Sequence, residues 1–140
     1  MTPIGTCRLY RPDPTSIGVG EQWGRARATV TLGPVVVVSV GGEVDASNAM
    51  RLAMYLERHV AIAESIVVDT TDVDFFGAPA LAALHRVDRC CAAIGISWRL
   101  IAGPAVKRVS RVCDSTDLPW ADDMTSALGQ LGVDCPSVPG

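Results

Sequence analysis

Five carboxylates occur in two short stretches of the sequence, each directly after a run of apolar residues. They are Glu43, Asp45, Asp69, Asp72 and Asp74. Hard cations such as Mg²⁺ prefer oxygen ligands of this kind, but Mg²⁺ also demands near-octahedral geometry, which nothing in these stretches enforces. Asp45 is explained as a cap for the helix that follows it, because its side chain can accept a hydrogen bond from a free backbone N–H. The sequence therefore predicts neither a metal site nor a bound cofactor.

No nucleophile and base are paired in a recognisable motif. His59 and His85 both fall within helical patterns, on or near polar faces, and are predicted to be solvated. The G-x-S-x-G motif of a nucleophile elbow is absent. Lys107 and Arg108 follow a candidate helix start, yet the P-loop pattern is missing, so they are predicted to lie on a solvated helix face. The chain is predicted not to be an enzyme.

The composition is that of one small domain with an aliphatic core. The chain has 140 residues, of which 49% are hydrophobic and 5% aromatic, and its net charge is −3. Because Lys and Arg are not clustered, no surface is suited to neutralising phosphates, which argues against direct nucleic-acid binding. The longest apolar run, "PVVVVSVGG", is too short to span a membrane and no signal peptide is recognised, so the chain is predicted to be cytoplasmic. The five cysteines are predicted to be buried thiols that behave as small apolar side chains; they are Cys7, Cys90, Cys91, Cys113 and Cys135.

Alternating strand and helix patterns position these residues. β-Branched runs and apolar–polar alternation predict strands at 26–32, 35–40, 65–70 and 97–102. Apolar residues at helical spacing predict helices at 45–62 and 78–94. Pro104 at a first helical position indicates a short helix at 103–112, and acidic residues in a first turn indicate a final helix at 121–131. A turn at Gly33-Pro34 makes the first strand pair antiparallel, whereas helical crossovers make the later strands parallel. The fold class is therefore α/β, with a mixed sheet of four to five strands packed with about four helices.

The ordered domain is predicted to span residues 25–132. Residues 1–24 and 133–140 contain several Pro and Gly and lack periodicity, so they are predicted to be a flexible N-terminal arm and a flexible C-terminal tail. Two loops, 41–47 and 69–79, are predicted to leave the carboxyl ends of strands. That edge is where open α/β sheets tend to bind ligands and partners.

The second of these loops contains two adjacent phenylalanines. Phe75 is interpreted as a core residue, and Phe76 then faces the other way if the chain stays extended. An exposed ring at the rim of a sheet is a candidate contact surface. The alternative is a bent loop that buries both rings.

Three stretches of the sequence resemble the STAS domain of bacterial anti-sigma factor antagonists. They are "VSVGGEVDASNA", which is similar to the family pattern at Gly42, Glu43, Val44 and Asp45; "IVVDTTDVDFFGAPALAAL", at Asp69, Val73, Phe75 and Leu81; and "GPAVKRVSRVCDSTDL", at Pro104, Ala105, Val106 and Arg108. The resemblance covers residues 26–132. It implies a STAS fold and a protein–protein switch, in which the antagonist binds an anti-sigma factor and releases the sigma factor that this partner held.

The family switch is phosphorylation of a serine at the start of the second helix, and this sequence departs from the family there. Aligning Phe75 with the family's phenylalanine places Gly77, Ala78, Pro79 and Ala80 where the family has Asp-Ser-Ser-Gly. The two serine positions are then occupied by Ala78 and Pro79, which cannot accept a phosphate. No Ser or Thr lies between Thr71 and Ser97. Alternative hydroxyls near the same edge are Ser47, Thr70 and Thr71.

The resemblance implies a non-enzymatic regulatory protein that binds an anti-sigma factor and lacks the usual switch. The partner-binding residues that it implies are Asp45, Ser47, Phe76, Gly77, Ala78, Pro79 and Ala80. The anti-sigma factor is one that can also carry kinase activity, and homodimerisation is left open. The alternative is a diverged STAS module that scaffolds an unrelated partner or binds a small ligand. That ligand would be a nucleotide or a lipid, in a pocket lined by Asp45, Asp69 and Phe76.

Overall fold

The computed structural model describes residues 18–115 and 117–132. Its strands are β1 (Glu21–Trp23), β2 (Ala26–Thr31), β3 (Val36–Val44), β4 (Ser65–Phe76), β5 (Ser97–Ile101) and β6 (Trp120–Ala121). Its helices are α1 (Ala49–Val60), α2 (Ala78–Ile94), α3 (Pro104–Val112) and α4 (Met124–Gln130). None of these helices is long and apolar enough to cross a membrane.

The strands form one sheet in the order β1-β2-β3-β4-β5-β6. Neighbours from β1 to β3 are antiparallel, whereas neighbours from β3 to β6 are parallel. The parallel half requires the helices between its strands, because the chain must return to the same end of the sheet before each new strand begins. The predicted α/β class, the mixed sheet and the antiparallel first pair are confirmed.

In the described part of the chain the sheet has six strands, which is more than the four to five predicted. The additional strands are very short: β1 has three residues and β6 has two. Strands of this length show no periodicity of their own, and they are recognised only by their pairing with β2 and β5. β1 also lies within residues 1–24, which were predicted to be a flexible arm. Residues 1–17 of that arm lie outside the described residues, as does the predicted tail 133–140.

Both faces of the sheet are packed against helices. The larger core lies between the sheet and helices α1, α2 and α3, and it includes Leu52, Leu84 and Val106. The smaller core joins Leu128 of α4 to Val67 and other side chains of the opposite face. Complete burial of an aliphatic side chain stabilises the fold by about 1.5–3 kcal/mol. These two clusters therefore supply most of the free energy that keeps the helices packed on the sheet.

β3 and β4 continue into segments 41–47 and 69–79, which were predicted to be loops. The extension contains two irregularities at which β4 has one residue more than β3. The flanking pairs are Ser39 with Asp69 and Gly41 with Asp72, then Gly42 with Val73 and Glu43 with Phe75. Each irregularity is a β-bulge, and a bulge inserts a residue and redirects the side chains that follow.

The bulges decide which side chains of β4 face the core. Thr70, Val73 and Phe76 are buried, at intervals of three residues instead of two. Phe76 is 4% exposed, whereas Phe75 is 51% exposed. The prediction of a core Phe75 and an outward Phe76 is therefore wrong, because it assumed strict alternation along the strand. The alternative in which both rings are buried is wrong as well.

Several polar side chains are placed differently from their sequence-based predictions. His59 was predicted to be solvated but is 0% exposed. His85 is half-buried, and its Nε2 lies 2.6 Å from the hydroxyl oxygen of Ser115. Each histidine contacts a segment that is distant in the sequence, and the periodicity of its own helix gives no sign of that contact. Lys107 and Arg108 are exposed, as predicted.

The cysteines do not all fit the prediction of buried thiols. Cys91 is a buried free thiol, and burial raises its pKa to about 12, with a smaller contribution from the nearby charge of Asp88. Cys113 is a free thiol at the surface, and Cys90 is disulfide-bonded. Cys7 and Cys135 lie outside the described residues.

Candidate functional site

The carboxyl ends of β3 and β4 meet the start of α2 at one edge of the sheet. Val44, the last residue of β3, pairs with Phe76, the last residue of β4. The backbone N–H of Gly77 then donates to the carbonyl oxygen of Val44 at 2.9 Å. Residues 45–48, which follow β3, and residues 75–79, which join the end of β4 to the start of α2, therefore lie side by side. We call these two segments together the β3–β4 rim.

A turn at residues 45–48 precedes α1. The helix was predicted to begin at Asp45, but it begins at Ala49, and its N-cap residue is Asn48 rather than Asp45. The Asp45 carboxylate instead accepts hydrogen bonds from the hydroxyl and the backbone N–H of Ser47, at 2.5 and 2.9 Å. These bonds, the hydroxyl bond first, hold the pKa of Asp45 below its ordinary value, so the carboxylate is charged at neutral pH.

Asn48 ties the turn to the rest of the domain. Its side chain is nearly buried, and its carbonyl oxygen accepts from the backbone N–H of Asp45 at 2.9 Å. Its Nδ2 donates to the carbonyl oxygens of Trp23 and Glu43, at 3.1 and 3.0 Å. One side chain thus joins the turn to the end of β1 and to β3, which holds the rim in a defined position.

The second half of the rim is the start of α2. Gly77 is the N-cap residue with extended backbone angles (φ −83°, ψ 167°), and a proline occupies the first turn of the helix. Ala78 and Pro79 are exposed. A Cβ placed on Gly77 would lie 3.5 Å both from Cε2 of Phe75 and from Cδ of Pro79. The exposed Phe75 ring, Gly77 and Pro79 therefore form one continuous apolar surface.

The structure brings most of the predicted partner-binding residues together. Asp45, Ser47, Gly77, Ala78 and Pro79 share the rim. Phe76 and Ala80 do not reach its surface, because both side chains point into the core.

Phe75 is the rim side chain that sequence reasoning missed. It was assigned to the core, and the bulge that turns it outward depends on the pairing between β3 and β4. No signal within β4 itself announces the bulge.

Two grooves flank the exposed start of α2. One, of about 350 Å³, runs between α1 and α2 and includes Met50, Pro79 and Arg86 in its lining. Arg86 also joins the two helices, because its Nε and Nη2 donate to the two carboxylate oxygens of Glu57 at 2.5 and 3.1 Å. The other groove, of about 510 Å³, lies between α2 and the segment after α3, and Ala78 lines it. The rim is therefore continuous with recessed surface on both sides.

The residues proposed for a small-ligand pocket do not come together. Phe76 is in the core, and Asp69 pairs with Ser39, which precedes Val44 by five residues of β3. At about 3.3 Å per residue that distance along the strand is about 17 Å. The Asp69 carboxylate already accepts hydrogen bonds within β4 from the N–H and the hydroxyl of Thr71, at 3.0 and 2.8 Å.

The alternative hydroxyls are also engaged. Thr70 is buried, where its Oγ1 donates to the carbonyl oxygen of Ile101 at 2.8 Å. Thr71 and Ser47 are exposed, but their hydroxyls donate to Asp69 and Asp45 respectively. Among residues 18–115 and 117–132, no group of three His, Cys, Asp or Glu side chains is arranged to hold a metal ion.

The chain is similar to several known proteins. The model of the STAS domain matches residues 26–123. Osmosensory protein A of Mycobacterium tuberculosis is 29% identical over 100 residues, which cover 68% of this chain and 63% of that protein. A protein of the same organism that is described as a candidate anti-anti-sigma factor is 30% identical over 118 residues, or 80% of each chain. The crystal structure of an anti-sigma factor antagonist from Mycobacterium paratuberculosis is similar with a TM-score of 0.64 and 25% identity, covering 76% of this chain and 94% of that one.

Proposed function

Because the chain belongs to the STAS domain family, we propose that it acts as an anti-sigma factor antagonist, which binds an anti-sigma factor and frees the sigma factor held by that partner. The observation that carries the proposal is the β3–β4 rim, where the half-exposed ring of Phe75 is held beside Gly77 and Pro79. Aromatic side chains, Phe among them, are enriched at the cores of protein interfaces, where a few buried anchors carry most of the binding energy. The role is one of binding rather than catalysis.

We propose further that this surface stays in its binding state when ATP and a kinase are present. Ala78 and Pro79 occupy the exposed start of α2 and carry no hydroxyl. The hydroxyls of Ser47 and Thr71 donate to neighbouring carboxylates, and that of Thr70 is buried. A phosphate adds a charge of about −1.5 to −2, so its absence from the rim leaves the apolar surface intact.

The test is binding to the anti-sigma factors of the cell from which the chain comes, with and without Mg-ATP. We expect one of them to form a stable complex whose dissociation constant is unchanged by ATP. ATP-dependent release of the protein with its native sequence, with phosphate mapped to Ser47 or Thr71, would refute the unswitched surface. Failure of every anti-sigma factor to bind would refute the antagonist role.

Restoring a serine at the family position should restore the switch. If the bound anti-sigma factor has kinase activity, Ala78→Ser is expected to be phosphorylated at residue 78 and then to bind at least about tenfold more weakly, since charge is added within the contact surface. Mass spectrometry locates the phosphate, and calorimetry measures the affinity. Ala82→Ser is the matched control, because Ala82 is also exposed and lies one turn further along α2. Equal phosphorylation of both variants would contradict the assignment of residue 78.

A further inference from the structure

One face of α1 holds the segment that leads into the sheet. The hydroxyl of Tyr55 donates to the carbonyl oxygen of Val19 at 2.7 Å, and Arg58 forms an ion pair with Glu21 of β1. The backbone N–H of Gly18 donates to Nε2 of His59 at 3.1 Å. We call these contacts between α1 and residues 18–23 the α1 latch.

The hydrogen bonds of His59 define its protonation state in the latch. Its Nδ1 lies 2.9 Å from the carbonyl oxygen of Tyr55, which can only accept, so Nδ1 carries a proton. Its Nε2 faces the N–H of Gly18, which can only donate, so Nε2 carries none. The latch therefore requires the neutral imidazole. A second proton would sit on Nε2 and face the N–H of Gly18, and the bond between them would be lost.

The surroundings of His59 favour the neutral form. Burial lowers its pKa below the ordinary value of 6.5, the hydrogen bond to Tyr55 acts in the opposite direction, and the charge of Arg58 lowers it again. Glu21 on β1 is the acidic neighbour, and its effect is to raise the pKa. Because the net shift is downward, the contribution of His59 to folding is fully present above the unfolded value near 6.5. It is lost as the pH falls through the folded pKa.

The latch is connected to the β3–β4 rim. The ring of Trp23 packs edge-on against the ring of Tyr55, with centroids 5.4 Å apart. The carbonyl oxygen of Trp23 accepts from Asn48, and the side-chain oxygen of Asn48 accepts from the N–H of Asp45. Movement of residues 18–23 away from α1 therefore removes one of the bonds that position the turn at 45–48.

We propose that His59 makes the α1 latch a pH-operated device that regulates the rim. With a neutral imidazole, residues 18–23 stay against α1 and the turn at 45–48 is held. With a protonated imidazole, Gly18 is released, β1 loosens from α1, and the turn gains freedom through Asn48. The consequence for anti-sigma factor binding rests on the proposed function, but the opening of the latch does not.

The latch is tested in the isolated full-length protein by following backbone and indole N–H signals from about pH 7.5 to about pH 5. The signals of Gly18 and of the Trp23 indole, assigned with the help of Trp23→Phe, are expected to change with one midpoint below 6.5. After correction for the intrinsic pH dependence of exchange, the amides of residues 18–23 should exchange about tenfold faster or more at the acidic end.

Two matched variants identify the titrating group, since the chain has two histidines. His59→Gln keeps an oxygen that can accept from Gly18 but does not titrate, and it is expected to abolish the transition. His85→Gln leaves His59 as the remaining imidazole and is expected to retain it. A transition that persists in His59→Gln, or none in the unmodified protein above the pH of global unfolding, would overturn the proposal.

A further variant keeps the test decisive if His59→Gln does not fold. Tyr55→Phe removes the bond to Val19 but leaves His59 in place. When the latch is weaker, protonation of His59 disrupts less favourable contact, so the midpoint of the His59 transition should move upward towards 6.5. An unchanged midpoint would count against the latch.

The link to the rim is judged in the same titration. The amides of Asp45 and Ser47 should follow the midpoint of Gly18. If they do not respond, the latch stands and its connection to the rim is wrong. No partner is present in these experiments, so their outcome is separate from that of the antagonist role.

Discussion

Gly42→Ala is expected to lower the free energy of unfolding by about 3 kcal/mol or more. Gly42 has a φ of +85° at the second bulge, and its Cβ would lie 2.0 Å from the carbonyl oxygen of Arg25. That oxygen belongs to the backbone and accepts from the N–H of Glu43 at 2.9 Å, so it cannot move away without loss of a hydrogen bond. Urea unfolding followed by circular dichroism measures the change.

Gly24→Ala separates steric overlap from backbone strain in this comparison. Gly24 also has a positive φ, +62°, but a Cβ there would meet nothing within 4 Å. The free energy of unfolding of Gly24→Ala should fall only by the cost of holding an alanine in the left-handed conformation, about 1–2 kcal/mol. If the two variants were equally destabilised, the overlap of the added Cβ at Gly42 with the carbonyl oxygen of Arg25 would not be the cause.

Phe75→Ala is expected to weaken binding of the anti-sigma factor by about 30-fold or more, equivalent to about 2 kcal/mol. The ring is half-exposed in the free protein and lies beside Gly77 and Pro79, so a partner can bury what remains of it. The fold should lose little, because the ring contributes only part of its surface to the domain. Calorimetric titration gives the affinity, and thermal unfolding shows that the variant remains folded.

Ile62→Ala is the matched control for Phe75. Ile62 is 47% exposed, close to the value for Phe75, but it follows the end of α1 that is opposite to the rim. The twelve residues of α1 separate the two ends by about 18 Å, at about 1.5 Å per residue. Ile62→Ala should leave the affinity for the anti-sigma factor within about twofold of that of the unmodified protein. Equal losses in both variants would indicate a nonspecific effect of removing apolar surface.

The elements that carry their own pattern were predictable from the sequence. α2 was predicted at 78–94, and the structure has it at Ala78–Ile94. Its proline lies in the first turn, where no N–H is needed, and Gly95 ends it with a φ of +78°. Each of these signals lies within the helix or next to it, so neighbouring elements were not needed to read them.

The parts that were not predicted depend on contacts between distant segments. The outward Phe75 follows from bulges, and a bulge is a mismatch between two strands rather than a property of one. His59 lies in an apparently polar stretch of α1, and its burial follows from the packing of residues 18–23 against that helix. β1 itself is recognised only through its pairing with β2. The exposed positions of Ala78 and Pro79 could be predicted, because the signals that mark the start of α2 lie in the local sequence.

The bulges of β4 also bear on how the chain reaches its native state. β3 and β4 are parallel neighbours separated in the sequence by α1, so their contacts form only after a long loop has closed, which makes such pairing slow. In a regular strand, a slip by one residue keeps the ladder of hydrogen bonds while it exchanges inward and outward side chains. In β4 a slipped pairing would set both inserted residues opposite the wrong partners, and hydrogen bonds would be lost in addition to apolar contacts. Mispaired intermediates are therefore poor competitors, and the irregularities that turn Phe75 outward also favour correct folding.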